Sequence, residues 1–217
     1  MHRLHRNNVH IPACLVAPPA GHRYNNLQTT EKAEIRARLL ELQHQRCAYC
    51  ERRTGDARDD GHIEHFRKQA GHHHLEVSWT NMFWSCNDEK TCGKHKDKCD
   101  RASGTLANFN YDDIIDPSAE DPADLLLFVV DGTVRGLEGL DAGQQRRVDE
   151  TLRVFQLDSP YLRKSREDAV SPYLSALQTL VSVAPQSVVD YVMGELQRVE
   201  SVPFGTPIRQ YLEGFLP

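Results

Sequence analysis

The sequence predicts an α+β protein, and three observations carry the prediction. Cys47-x-x-Cys50 is followed by Cys86 and Cys92 around a segment with little apolar periodicity, a small module that needs a staple other than a hydrophobic core. A short apolar run, Leu125 to Val130, meets Asp131-Gly132 and a returning Thr133 to Arg135, which reads as a tight β-hairpin. Three apolar stripes at helical spacing then fill the C-terminal part: Val148, Leu152 and Phe155; Ala169, Tyr173, Leu177 and Leu180; and Val188, Val192, Leu196 and Val199.

Before the cysteines, residues 1 to 28 are rich in His, Asn and Pro and show neither period, so an extended arm over the surface is expected. Thr30 is placed to cap a helix, with Glu31 and Glu34 in its first turn. Ile35, Leu39 and Leu42 recur at i, i+4 and i+7, which predicts an amphipathic helix to about Gln45 running into Cys47.

The 39% hydrophobic and 26% charged content is that of a globular chain. No stretch approaches the roughly 20 apolar residues of a membrane span, and His, Arg and Asn interrupt the N-terminus where a signal peptide would need an apolar core. The expected location is the cytoplasm. The net charge of -5 is uneven: residues 1–45 carry six basic against three acidic side chains, and residues 102–217 nine against eighteen. A polyanion is therefore expected to meet the N-terminal half.

In a reducing compartment the six cysteines read as metal ligands rather than disulfides. Two thiolates two residues apart can face one tetrahedral zinc ion at about 2.3 Å, and Cys86 with Cys92 supplies the second pair. The five-residue gap of that pair exceeds the usual spacing, so Cys99 stands as the alternative fourth ligand. Cys14 reads as a small buried apolar residue.

Between the pairs lies His62-Ile63-Glu64-His65. Phosphodiester hydrolysis needs a base to deprotonate water and a hard cation to stabilise the phosphorane and leaving oxygen. His65, largely neutral at neutral pH, suits the first task, and Glu64 is an oxygen ligand suited to Mg2+ or Mn2+. Neighbours on a strand point to opposite sides, so the two can serve one site only through a bend or a shared metal.

The order Cys47-x-x-Cys50, Glu64-His65, Asn81, Cys86, Cys92 and Lys94-His95-Lys96 resembles the HNH endonucleases of the ββα-metal type. The runs Cys-Ala-Tyr-Cys-Glu, Ile-Glu-His-Phe-Arg, Trp-Thr-Asn and Cys-Gly-Lys-His-Lys-Asp are similar to those of the PtuB nuclease subunits of Septu anti-phage systems, over roughly residues 10 to 170. That resemblance implies a metal-dependent DNA-cleaving enzyme of antiviral defence with a PtuA-type ATPase partner; RNA as substrate is the alternative. With the composition and periodicity above, the expected organisation is an arm at 1–30, an HNH module with structural zinc and its supporting helix at 31–110, and a hairpin and helical region at 111–217, of which the last forty-odd residues rest on periodicity alone. His65 takes the place of the general base, Glu64 of the acidic metal ligand, and Asn81 of the residue that ties the loop between the strands. Where the family has Asn or His after the last cysteine this chain has Gly93, so His95 is chosen as the helix-side ligand, with Asn87 in reserve.

Plainer readings stand beside these. The four-cysteine site could serve a non-catalytic zinc adaptor, but Glu64, His65 and Asn81 would add nothing to it. His72-His73-His74 and His62 read as loop residues, and Trp79, Phe83 and Trp84 as groups that bury the module. The cluster Lys90, Lys94, Lys96, Lys98 and Arg101 fits a solvated face or a phosphate-contacting one equally well.

Overall fold

The computed structural model describes residues 1–57, 59–101 and 109–217, so position 58 and the 102–108 part of the predicted module lie outside the described residues. In chain order the elements are α1 (Ala13–Val16), α2 (Thr29–Leu42), β1 (Gly61–His65), β2 (Met82–Cys86), α3 (Cys92–Arg101), β3 (Leu126–Phe128), β4 (Val134–Gly136), α4 (Ala142–Phe155), α5 (Pro160–Val183), α6 (Val188–Arg198) and α7 (Gly205–Glu213). β1 pairs antiparallel with β2, Gly61 opposite Cys86 and His65 opposite Met82. β3 and β4 form a second antiparallel pair. The mixed α+β class expected from periodicity is what the chain adopts.

The arm departs from expectation at its start. Met1 and Leu4 are each 1% exposed and belong to the main core, and Leu4 N donates to Pro117 O at 2.8 Å. An apolar pair spaced i, i+3 in an otherwise polar arm gains more by burial than by lying over the surface. The 3-10 turns at Arg6–Asn8 and Tyr24–Asn26 and the short α1 replace the rest of the extended path.

α2 is capped at Gln28, two positions earlier than Thr30. Gln28 N donates to Glu31 Oε2 at 2.7 Å, and the Gln28 side chain answers at the N3 backbone, a capping box. Its buried face is Ile35, Leu39, Leu40 and Leu42. The helix stops at Leu42 because Gln43 is engaged elsewhere: its Nε2 donates to Arg46 O and Trp84 O, and its Oε1 accepts from Trp84 N. His44 and Gln45 then turn through left-handed φ of 50° and 54° and deliver the chain to Cys47.

The second sheet is closed by Gly132 at φ +81°, where a Cβ would lie 1.9 Å from Arg163 O, so only glycine fits. Buried Arg166 donates to Gly132 O and Leu157 O and locks α5 to this hairpin. All three predicted stripes face inward: Val148 and Phe155 join the main core, and Leu177, Val188, Val192 and Val199 form a separate cluster with Ile208 and Leu212 of α7. Residues flanking the first cysteine pair join the two regions. Arg46 donates to Val202 O and Glu200 O, Glu51 Oε2 accepts from Thr206 N, and Tyr49 stacks on Phe155 at 4.0 Å. Among the described residues no helix is long and apolar enough to cross a membrane.

Candidate functional site

Four thiols meet in the interior. The Sγ atoms of Cys47, Cys50, Cys86 and Cys92 all lie within 4.8 Å of one another, and Cys50 and Cys86 are 4.0 Å apart. Ligands about 2.3 Å from one tetrahedral zinc stand roughly 3.8 Å from each other, so the donor set fits a structural zinc ion. Geometry from three places converges here. The turn after α2 supplies Cys47 and Cys50, with Glu51 N donating to Cys47 O. The end of β2 supplies Cys86, and Cys92 takes a left-handed φ of 54° at the start of α3. Cys99 is not part of the cluster; its Sγ lies 3.6 Å from His95 Nδ1. Cys14 packs at the edge of the α2 core.

A cleft of about 280 Å³ opens between β1, the loop that follows it and α3. Glu64, His65, His62 and Gln69 line it from the strand side, and Asp97, Asp100 and Arg101 from α3. Glu64 and His65 thus share one cleft although they are neighbours on a strand. His65 is the last residue of β1, where the pleat gives way to a loop.

His65 is 7% exposed. Its Nε2 is 2.9 Å from Glu76 O, and a carbonyl only accepts, so Nε2 carries the proton. Nδ1 is then the acceptor, receiving Gln69 Nε2–H at 3.1 Å. Burial pushes the imidazole pKa down and keeps the ring neutral. The Tyr24 ring meets it edge-on, centroids 4.9 Å apart.

Asn81 sits below the loop that joins β1 to β2. Its Nδ2 donates to Arg67 O and Leu75 O, its Oδ1 accepts from Arg67 N at 2.8 Å, and its main-chain O accepts from Phe66 N. These bonds fix the loop that carries Glu76 O, and hence the His65 ring. Trp79, Phe83 and Trp84 are buried, as their reading as packing groups anticipates.

The Glu64 carboxylate points at α3. Lys96 Nζ forms an ion pair with Oε1 at 2.8 Å, and His62 Nε2 is 3.2 Å from Oε2. Burial opposes the charge, but the Lys96 ammonium and His62 outweigh it and hold the carboxyl below its usual range. Lys96 is fully buried; besides Glu64 it approaches Asp97 at 3.4 Å and Asp100 at 3.5 Å and donates to His65 O at 3.0 Å. It therefore belongs neither to a solvated face nor to a phosphate-contacting one.

His95 and Asn87 do not reach this cleft. His95 Nδ1 donates to Val154 O of α4 at 2.8 Å. Asn87 holds His62 Nδ1 at 2.9 Å and lines the neighbouring cavity. Two acids of α3 line the cleft instead: Asp100, whose carboxylate accepts from Tyr111 Oη and pairs with Lys68, and Asp97, whose carboxyl is raised by burial and by the nearby Glu64 charge. Helix phase explains the exchange: with α3 beginning at Cys92, residues 93, 96, 97 and 100 share one face, and His95 lies about 200° round from Gly93. A Cβ at Gly93 would stand 2.7 Å from Glu64 Oε2, so the position that carries Asn or His in the resembling family is here packed directly on the carboxylate.

Glu64 and Asp97 both line the cleft, and the Lys96 ammonium pairs with each of them, at 2.8 Å and 3.4 Å; among the described residues the four cysteines are the one cluster of metal-ligating side chains close enough to share an ion. Compared with known proteins, the chain matches no family model and no curated protein.

Proposed function

We propose that the chain is an HNH-type endonuclease that hydrolyses phosphodiester bonds, with zinc in the four-cysteine centre as a structural staple. The observation that carries this reading is the state of His65: a buried, neutral imidazole with its proton fixed on Nε2 by Glu76 O and its basic Nδ1 in the cleft that Glu64 and Asp97 line. Once the Gln69 amide gives way to a water, this nitrogen accepts the water's proton without a change of tautomer. Glu64 and Asp97 would hold the divalent cation, which when bound stabilises charge on the phosphate and leaving oxygen. Asn81 positions the loop behind His65. The sequence resemblance supports DNA as substrate, a PtuA-type ATPase as partner and a role in anti-phage defence.

The direct test is cleavage of DNA and structured RNA by the zinc-loaded chain, with and without the ATPase, in Mg2+ or Mn2+. His65→Ala is expected to abolish it. Equal cleavage by that variant removes His65 as the base.

One observation favours a second reading, a non-catalytic zinc adaptor. The Lys96 ammonium already compensates Glu64 from within the fold. If titration with Mg2+ and Mn2+ leaves the chain's stability unchanged and no nucleic acid is cut, the adaptor reading replaces the enzyme.

A further inference from the structure

A second cavity, about 600 Å³, lies between α2 and the β1 edge and shares His62 and Ile63 with the cleft. Its volume is within the range of sites that take small-molecule-sized groups. Lys32 and Arg36, one turn apart on α2, and Lys94 on α3 line it against a single lining carboxylate, Asp59. Among the described residues none of these three cations has an ion-pair partner, although the chain is otherwise rich in such pairs. Cations that converge on one cavity without acids raise its potential, and the preferred guest is an anion. Lys32 also lies over the Tyr24 ring at 4.9 Å, and that ring touches His65, so the cavity communicates with the candidate base through one side chain. Lys68, paired with Asp100 at 3.3 Å, and Arg101 also line the cleft. An acid-lined centre is thus flanked by basic side chains.

We propose that Lys32, Arg36 and Lys94 form a phosphate-binding subsite that holds the nucleic-acid backbone beside the scissile phosphodiester. The inference rests on the nuclease reading for what happens in the cleft, but binding to this subsite needs no cleavage. Phosphate contacts of this kind fix register without reading sequence. The site faces the N-terminal half of the chain, where the charge excess is positive.

The test uses the full-length, zinc-loaded His65→Ala chain without added divalent metal, so that binding is read apart from chemistry. Fluorescence polarisation follows a labelled single-stranded oligodeoxynucleotide and the matching oligoribonucleotide across a salt series. With Lys32, Arg36 and Lys94 all changed to Ala, the log–log salt slope is expected to fall by roughly 2 for whichever probe binds, each lost phosphate contact removing about 0.7 to 0.9. A control triple variant, Arg38→Ala, Lys164→Ala and Arg198→Ala, removes the same charge from exposed residues that are already paired. It is expected to leave the slope in place. Zinc content and thermal unfolding confirm that each variant folds. No binding by the parent chain, an unchanged slope in the cavity variant, or an equal loss in the control overturns the subsite. Cleavage is read separately on the chain with His65 intact in Mg2+ or Mn2+: if it cuts nothing while these cations carry binding, the subsite stands and the nuclease reading falls; if it cuts while the slope is unaltered, the reverse holds.

Discussion

Lys96 Nζ lies 2.8 Å from Glu64 Oε1 with both side chains removed from solvent, so one buried charge is the condition for the other. Removing one partner leaves the survivor uncompensated, which costs about 3–5 kcal/mol. Lys96→Met is expected to lose stability on that scale in urea unfolding. The double variant with Glu64→Gln is expected to recover much of it, because the fully buried Glu64 charge is then gone too and Asp100 keeps its pairing with Lys68. A Lys96→Met protein as stable as the parent contradicts the pairing. The same variant tests the cation site: with the ammonium gone, Mg2+ should raise the unfolding midpoint more than it does in the parent.

The four-cysteine centre predicts one zinc per chain by elemental analysis. The cluster ties Cys86 of β2 and Cys92 of α3 to Cys47 and Cys50, and metal-ligand energy in such sites is folding energy. Cys92→Ser is expected to lose zinc to a mild chelator and to broaden or abolish cooperative unfolding. Cys99→Ser, whose thiol lies outside the cluster, is expected to retain it. Intact folding of a zinc-free parent would show that the thiols are packing groups.

Much of this was legible because it is periodic. Stripes at 3.6-residue spacing gave the helices, an Asp-Gly turn gave the hairpin, and paired cysteines gave the metal cluster, since these patterns need only local geometry. The acid opposite Glu64 was not legible, because choosing between His95 and Asp97 requires knowing which face of α3 packs on β1, and that is set by tertiary contacts such as Gly93 and Lys96 on Glu64. Lys96 was hidden for another reason. In a run of alternating Lys and Asp every lysine looks solvated, and only the tertiary meeting of α3 with β1 shows that one carries the charge balance of the site. The anchoring of Met1 and Leu4 is likewise a long-range fact with no local signature.

Burial holds the His65 imidazole below its usual pKa, which sets the expected pH profile of the proposed reaction. The base is active when neutral, and a lowered pKa extends the neutral form to more acid pH. The acid limb of kcat/KM is therefore expected to have its midpoint below the ordinary histidine value of about 6.5. His65→Ala should lose the rate and, with it, this limb. An acid limb centred above 6.5 would mean that another group, or a histidine in a wetter setting, supplies the base.

Asn81 makes three side-chain hydrogen bonds, to Arg67 N, Arg67 O and Leu75 O, and touches none of the cleft's acids. Its effect on chemistry must run through the loop that presents Glu76 O to His65. Asn81→Ala leaves one backbone donor and two backbone acceptors without their partner, a loss of about 2–3 kcal/mol when water only partly replaces them. If the loop's role is to fix the His65 tautomer, kcat should fall by more than KM rises, since substrate contacts remain while the base loses its orientation. Asn81→Asp discriminates further: the carboxylate still accepts from Arg67 N but faces Arg67 O and Leu75 O without a proton to donate. It should therefore be the more damaging change despite its closer shape. Equal stability and rate in both variants would show that the loop holds its course without Asn81, and that the His65 ring is oriented by Gln69 and packing instead.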